Sequence, residues 1–384
     1  MSRAAGRLRV IPRAALTRLT RPRRRPAGPL RRILIAHHLL LGDTVMLTPL
    51  LAKLRRLHPD ADLDMTVPRP FVRCYGGRPY GVRPLPFDPR DAATLQGILG
   101  AGGYDLAIVP GDNRFAWLAL AAGARWIVAF AGDTPGWKSW PVDELRPYPG
   151  RPGAWGDLVC ELIDGEPPPP FDPRDWPSPQ AAPYEAPPAP DYAVLHAGAS
   201  TPLKRWEPGS WRRLAEHLQR EGIQPVFLAG RGEEAVVAEI DPAGRHPSYA
   251  GRLALEQVFH LLRGARLLVA PDTGIAHLGR VAGVPTVALF GPGSALICGA
   301  GQFWRASPYW SVTAADFACR DQPVLFRRRV EWVRRCGRST RTCPAPRCMQ
   351  AVAADAVAGA VDAALRGAQR PRQLSAAASP GGRA

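Results

Sequence analysis

The stretch Leu267–Pro292, LLVAPDTGIAHLGRVAGVPTVALFGP, decides the fold of this chain. RLLVA (266–270) is short, apolar and rich in branched residues, as a strand buried in a parallel sheet must be. PDTG then stops the strand with turn chemistry, and Asp272 or Thr273 is placed to cap the helix that follows. That helix, GIAHLGRVAG, ends at Gly283, and VPTVALF supplies a second strand. Strand, helix, strand is one α/β crossover, and ligands gather at its strand ends. Free backbone N–H groups and the positive end of the helix dipole face outward there and favour a diphosphate. His277, one turn in, faces the same mouth. An ordinary crossover with a capping Asp and a satisfied histidine carries the same pattern, so the assignment needs support from the rest of the chain.

Moving outward, YAVLHA (192–197) and QPVFLA (224–229) precede this unit as strands, alternating with helices SWRRLAEHLQREG, EEAVVAEI and LEQVFHLLRGA. Further upstream RRILIA, DLDMTV, YDLAIV and RWIVAF read as four more strands. Between the two sets, residues 164–190 are dominated by proline, which removes backbone donors and stiffens the chain, so they predict a linker or an extended wrap. The expected organisation is a basic disordered tail (1–30), an N-terminal α/β domain (31–163), the Pro-rich linker (164–190), and a C-terminal α/β domain (191–348) with a Cys/Arg-rich segment from 319. A C-terminal helix (349–367) and a disordered tail (368–384) follow. The fold class is α/β: two Rossmann-like domains whose parallel sheets face a central cleft.

The 384 residues, 46% of them hydrophobic, suffice for two domains of ordinary size. The net charge of +17 suggests a nucleic-acid binder until it is located. Residues 1–32 hold 11 Arg and no acid, and residues 320–347 hold 9 Arg against 2 acids, so the remainder is close to neutral. Two local segments therefore carry the charge, and they suit an anionic surface such as phospholipid head groups or a phosphorylated glycolipid. No RNA-binding motif, basic-aromatic stacking pattern or recognition helix supports nucleic acid as a partner. Arg and Pro interrupt any signal-peptide core at the N-terminus, and no segment approaches the roughly 20 apolar residues needed to span a bilayer. The expectation is a cytoplasmic protein with peripheral attachment to the inner face of the membrane left open.

In the first half, HHLLLGDTVMLTPLLAKLRRLHP turns a strand through Gly42 and Asp43 into a helix whose apolar positions, Val45, Leu47, Leu50, Leu51, Leu54 and Leu57, recur at helical spacing. Asp43 either caps that helix, which its position alone favours, or stands at the strand's end as a general base. In the second half the small residues Ala197–Ser200 let backbone N–H groups approach a phosphate, and Lys204 adds a mobile ammonium. Glu233 and Glu234, at a helix start, either complement the dipole or bind ribose hydroxyls. The D-x-D match Asp62–Leu63–Asp64 reads as exposed strand surface rather than a metal site.

Together these segments resemble glycosyltransferase family 9, the ADP-heptose:lipopolysaccharide heptosyltransferases. Leu41, Gly42, Asp43, Thr48 and Pro49 match that family's LGDxxxxTP. His196, Gly198, Ala199, Ser200, Lys204 and Trp206 match its HPGAS-like segment and K-x-W. Asp272, Thr273, Gly274, His277, Leu289, Phe290, Gly291 and Pro292 match DTGxxH followed by LFGP. Order and spacing agree across roughly residues 31–295.

The resemblance implies a GT-B fold with the acceptor on the N-terminal side and the nucleotide sugar, ADP-heptose, on the C-terminal side. It implies that Asp43 is the base for the acceptor hydroxyl, that Lys204 neutralises the leaving diphosphate, and that Thr273–Gly274 cradle it. Ser200, Glu233, Glu234, Asp272 and His277 complete the expected donor site, and Gly42, His37 and His38 the acceptor side. The implied product is a heptosylated lipopolysaccharide core or other cell-envelope glycan, made by single in-line displacement with inversion. No cofactor is called for if Lys204 and the helix dipole supply the positive charge. Two other readings use the same scaffold: a nucleotide-sugar epimerase or hydrolase, and a non-catalytic basic envelope-associated binding protein.

The chain departs from the family pattern at His37–His38, where a basic residue and a small or polar one are usual, and at Gly279–Arg280, where Arg280 is placed to alter nucleotide or acceptor contacts. Its seven cysteines include a late group, Cys319, Cys336, Cys343 and Cys348. They lack a C-x-x-C pair; packing cysteines are the first expectation, with a metal site or redox pairing as alternatives.

Overall fold

The strands β1 (Arg32–Ile35), β2 (Asp62–Val67), β3 (Val82–Pro86), β4 (Leu106–Val109), β5 (Trp126–Phe130) and β6 (Glu144–Arg146) form one parallel sheet in the order β3-β2-β1-β4-β5-β6. A second parallel sheet contains β7 (Tyr192–His196), β8 (Gln224–Leu228), β9 (Leu267–Pro271), β10 (Thr286–Phe290) and β11 (Tyr309–Thr313), in the order β11-β10-β9-β7-β8. The computed structural model describes residues 3–20, 24–314 and 317–369; the rest of the expected C-terminal tail, from residue 370, lies outside the described residues. Every residue of β7, β9 and β10 is buried, which is why these strands read as unbroken apolar runs. The strand order reverses between β1 and β4 and again between β7 and β9. In doubly wound sheets the crevice for ligands opens beyond the carboxyl ends of the strands at that reversal. The two domains thus have the GT-B architecture expected from the sequence.

The helices, in order, are α1 (Arg3–Thr20), α2 (Leu41–Val45), α3 (Thr48–Leu57), α4 (Ala92–Ala101), α5 (Phe115–Ala121), α6 (Trp155–Val159), α7 (Pro208–Arg220), α8 (Glu234–Ile240), α9 (Leu255–Gly264), α10 (Gly274–Ala282), α11 (Ala295–Cys298), α12 (Arg347–Gln350) and α13 (Ala354–Gln369). The single helix expected after Asp43 is two, because Pro49 starts a new helix and leaves Met46 and Leu47 as the joint. The C-terminal helix likewise begins later than expected, at Ala354, and buries Val357, Val361 and Ala364 in the core of the second sheet.

Two organisational expectations change, and one left between two readings takes the second. The first 30 residues hold helix α1 rather than a disordered tail. Ala14 is buried against the first domain's core with Val10 packed beside it, and Arg13 donates to the Ala121 and Leu99 carbonyls at 3.0 Å each. The Pro-rich segment is a wrap. Phe171 and Trp176 are buried, Trp176 lies 5.1 Å from the Tyr75 ring, and His260 and Gln257 bond to the backbone of Pro179 and Ala182. Finally, the Cys/Arg-rich segment is not confined to the second domain. A short hairpin, β12 (Val324–Leu325) and β13 (Arg328–Arg329), carries Arg328 into the first domain, where its guanidinium donates to the carbonyls of Gly111 (2.7 Å) and Ala131 (3.0 Å) and to Asn113 Oδ1 (2.6 Å). This segment is a strap across the cleft.

Asp64 of the D-x-D match is not on the surface. Burial there is tolerated because Arg83 engages both of its carboxylate oxygens (2.7 and 2.6 Å) and the Tyr104 hydroxyl donates to one of them at 2.8 Å, so both oxygens are already engaged.

The domains meet most closely where α2 touches α10, and two glycines of the sequence motifs permit it. A Cβ on Gly274 would lie 2.8 Å from Leu41 Cβ, and one on Gly42 would lie 2.8 Å from His277 Cδ2. Gly274→Ala is therefore expected to destabilise the protein by about 1–3 kcal/mol through overpacking. The check is a denaturation midpoint, with Leu41→Ala expected to recover part of the loss in the double variant.

Candidate active site

Both sheets aim their strand ends at one cavity of about 720 Å³, lined from the first domain by Gly42, Asp43 and Met46 and from the second by the loops after β7, β8, β9 and β10. Asp43 lies in the first turn of α2, yet it does not cap: Leu40 is the N-cap residue, and no side-chain cap bond is present. Its carboxylate has no hydrogen-bond partner among the described residues and borders the cavity. Burial, and then the neighbouring Asp272 carboxylate, push its pKa up to about 6, while Lys204 and Arg335 oppose the rise. A carboxylate ionised at neutral pH yet basic enough to receive a proton is what general-base catalysis requires.

Across the cavity, a single turn at Pro202–Lys204 delivers the Lys204 ammonium to the Asp272 carbonyl (2.7 Å) and carboxylate (2.8 Å). Asp272 therefore anchors the lysine instead of capping α10. Thr273 occupies the N-cap position in extended backbone but makes no cap bond, and its Oγ1 is buried with no partner among the described residues. The start of α10, Thr273 and Lys204 all line this side of the cavity, and a helix start with an ammonium beside it forms a cradle chemically suited to an anion. Gly293 belongs to the same cradle, since a Cβ there would collide with Asp272 Oδ2.

His277 sits behind Gly42 at the domain contact. Burial, then Arg280 and Lys204, hold its pKa well below the ordinary value, so it is neutral, and its Nδ1 has no partner among the described residues. Ser200 borders the cavity. Glu233 borders it too, with both oxygens taken: Ala199 N–H donates to Oε1 at 2.9 Å and Gly230 N–H to Oε2 at 2.8 Å. It ties the loops after β7 and β8 together. Glu234 does not line the cavity; it accepts from Gly232 N–H at 3.0 Å, which lowers its pKa.

His37 and His38 are not brought to this cavity. His37 is buried at the end of β1 with Nδ1 accepting from Leu39 N–H (3.2 Å), and desolvation lowers its pKa to about 3. His38 is exposed, its ring packed on Phe87 and Phe115. Arg280 is buried away from the cleft. It lies 3.7 Å over the Tyr309 ring and donates to the Gly299 and Cys298 carbonyls, so it shapes the loop after β10 instead of contacting a ligand.

The strap adds residues that sequence reading missed. Arg335 and Arg338 reach the cavity wall with Phe326. Arg338 is paired with Asp321 at 3.0 Å, whereas Arg335 has no side-chain hydrogen bond or ion pair among the described residues. Nothing local marks Arg335 among the nine arginines of its segment, because only the strap's return from the first domain carries it to the cleft. Asp157 was also missed. It accepts from the backbone N–H of Gln302 (2.6 Å) and Phe303 (3.1 Å), fastening the first domain to the second beside the cavity.

Two doubly wound domains, with an unengaged carboxylate on one side of the cleft and an anion cradle on the other, define a glycosyltransferase of the GT-B class. The family model for glycosyltransferase family 9 (heptosyltransferase) matches residues 93–302, and the chain belongs to that family. The lipopolysaccharide heptosyltransferase 1 of Pseudomonas aeruginosa is 26% identical over 311 residues, 75% of this chain and 85% of that protein. Among solved structures, the family 9 glycosyltransferase of Veillonella parvula superposes with a TM-score of 0.67 at 16% identity, covering 90% of this chain and 100% of that one. The heptosyltransferase WaaC of E. coli with ADP gives 0.63 at 18%, covering 87% and 99%. The family match begins beyond Asp43, so the role of that carboxylate rests on its position and environment.

Proposed function

We propose that this protein transfers heptose from ADP-heptose to a lipid-anchored anionic glycan, with inversion at the anomeric carbon. The observation that carries the reading is the free Asp43 carboxylate facing the Lys204–Thr273 cradle across one cavity. Asp43 removes the proton of the acceptor hydroxyl as its oxygen attacks the anomeric carbon. The bond from that carbon to the diphosphate breaks with its electrons on the diphosphate, where Lys204, Arg335 and the start of α10 balance the charge. A single in-line displacement of this kind inverts the centre, and positive charge already in place makes it independent of a metal.

The choice of nucleotide follows the ADP carried by the WaaC relative. Thermal shifts with ADP, GDP, UDP and CDP test it: a shift selective for ADP is expected, and a larger shift with another diphosphate would replace the donor. Arg335→Ala is expected to weaken ADP by about tenfold, the scale of one charged hydrogen bond. NMR of the product's anomeric proton tests inversion.

An acceptor held in a membrane fits helix α1. On the side away from Val10 and Ala14 it exposes Leu16 (62%) and Leu19 (86%), with Ile11 (41%) at the edge of the packed face, where a helix lying on a soluble surface would show polar residues. Trp137 and Trp140 are half-exposed nearby, with Arg18 4.9 Å over the Trp140 ring, and residues 1–32 contain no acid. Apolar side chains edged by arginines suit an anionic phospholipid surface. Sedimentation with phosphatidylglycerol-containing vesicles is expected to carry the wild type down at low salt and to lose the Leu16→Asp/Leu19→Asp variant. Equal sedimentation of both would remove α1 from the proposal.

A further inference from the structure

The strap brings more than Arg335 to the cleft. Its four cysteines, Cys319, Cys336, Cys343 and Cys348, line a second, smaller pocket beside Pro292, and none is in a disulfide. Its hairpin reaches the main cavity. β12 and β13 pair Leu325 with Arg328, so Phe326 and Arg327 alone make the turn, and both have positive φ (44° and 62°). Two-residue turns of that hand are normally built from glycine, asparagine or aspartate, because a bulky side chain crowds its own backbone there. A phenylalanine held in this region is strained, and it persists only where its surroundings over-determine it. Here they do: Arg328 bonds to the Gly111 carbonyl and to Asn113, the Thr134 hydroxyl donates to the Arg327 carbonyl at 3.1 Å, and the Asp112 carboxylate lies 3.8 Å from Arg327 Nε.

The strained turn fixes the place of one ring. Phe326 lies 4.7 Å from Trp155, centroid to centroid, and packs over Gly111, where a Cβ would stand 3.6 Å from Phe326 Cδ1. The Trp155 segment in turn rests against α2, since a Cβ on Gly156 would lie 2.7 Å from the Met46 carbonyl at the end of that helix. Helix α2 also carries Asp43. Trp155, Met46, Leu325 and Phe326 thus form an apolar wall of the cavity, and Phe326 alone among the four is only half-buried.

The order of the second sheet decides which substrate meets this wall. Lys204 and Thr273 follow β7 and β9, which lie side by side in the middle of the sheet. The loop after β8 lies to one side, where Leu228, Leu253, Leu255 and Val258 make an apolar slot that suits a flat nucleobase. The loop after β10 lies to the other, and there the Cys336 N–H donates to the Pro292 carbonyl at 3.3 Å and ties the strap to it. A nucleotide sugar held by its diphosphate in the middle, with its base in the slot, leaves the strap side to the acceptor.

We propose that Phe326, backed by Trp155, is the platform on which the acceptor's sugar ring stacks, with its attacking hydroxyl turned towards Asp43; this rests on the transfer reaction proposed for the cleft. A sugar ring has the matching chemistry. Its hydroxyls spread around the ring edge, while the C–H hydrogens of one face carry partial positive charge and suit the negative face of an aromatic ring. Stacking orients the ring without using any of the hydroxyls, so the one that reacts stays free for the base. Sugars whose stacking face is interrupted by an axial hydroxyl or a charged group are poor acceptors on this platform.

The test uses the full-length protein, ADP-heptose as donor and a heptose-free lipopolysaccharide core oligosaccharide as acceptor. Phe326→Leu keeps an apolar side chain at the wall and removes the π face. It is expected to raise the acceptor KM about three- to tenfold, the scale of one aromatic contact, with kcat at saturating acceptor and the thermal shift with ADP close to wild type. Phe326→Tyr keeps the ring and is expected to keep the wild-type KM. Saturation-transfer NMR of the oligosaccharide with ADP present reads binding without turnover. In the wild type the strongest signals are expected from the C–H protons on one face of a single ring, and this result decides the matter even if Phe326→Leu fails to fold. Binding that depends on Phe326 without heptose transfer would remove the donor reading and keep the platform. An unchanged acceptor KM in Phe326→Leu, a loss of ADP binding in step with the acceptor, or saturation spread evenly over both faces of the ring would overturn the platform and leave the transfer reaction standing. A wild type that does not bind the oligosaccharide at all would overturn both.

Discussion

Asp43→Asn is expected to lower heptosyl-transfer turnover by ~10²–10⁴-fold, the range for removal of a general base, while leaving ADP affinity nearly unchanged. The substitution keeps shape and volume and removes only the capacity to accept a proton. Because burial and Asp272 raise the Asp43 pKa to about 6, the group is protonated and inactive below that value and ionised above it. In the wild type, kcat/KM should therefore rise with pH through about 6 and level off, and this limb should vanish in Asp43→Asn. Initial rates from pH 5 to 8 with saturating donor are the measurement. Unchanged turnover in the Asn variant would move the base elsewhere.

Lys204→Ala is the second large effect. It removes the ammonium that meets the departing diphosphate and strands the Asp272 carboxylate, which loses its partner at 2.8 Å. Loss of one preorganised charged donor costs about 10²–10³-fold in kcat, and the stranded carboxylate adds a penalty in donor binding. Lys204 also holds the Asp43 pKa down, so its removal is expected to move the acid limb to higher pH. A purely structural lysine would not produce that shift. Lys204→Arg keeps the charge and is expected to restore the position of the limb better than it restores turnover, since a guanidinium cannot reproduce the point contact of an ammonium.

The legible parts of the site share one property: each is a short segment whose local geometry is set by its own residues. DTG after a buried strand and before a glycine-terminated helix leaves few alternatives, and HAGAS with Lys204 behaves alike. Asp43 was legible by position, but its use was not. Whether it caps or stays free depends on Leu40 taking the N-cap and on Asp272 facing it from another domain. Glu233 and Arg280 show the opposite case. Their placement beside a nucleotide motif suggested ligand contacts, and the fold employs them on backbone groups of neighbouring loops.

The strands that the sequence leaves unmarked are those with weak local signals. β3 carries two prolines, β6 has three residues, and β11 is only partly buried. Each is held by its neighbour's ladder rather than by its own pattern. Helix α1 was hidden for a related reason. Its arginines and Pro12 resemble a solvated tail, and its folding depends on Val10, Ala14 and Arg13 finding the surface of α5.

By itself, the sequence determined two parallel α/β domains and the loops that carry the chemistry, because apolar periodicity, glycine positions and turn residues act within a few residues of one another. Tertiary structure alone decided the rest: the approach of Gly42 to His277, the freedom of Asp43, the capture of Asp272 by Lys204, and a strap that sets Arg335 at the cleft and gathers four cysteines. Those features are distances between groups far apart in the chain, and only packing brings such groups within reach of one another.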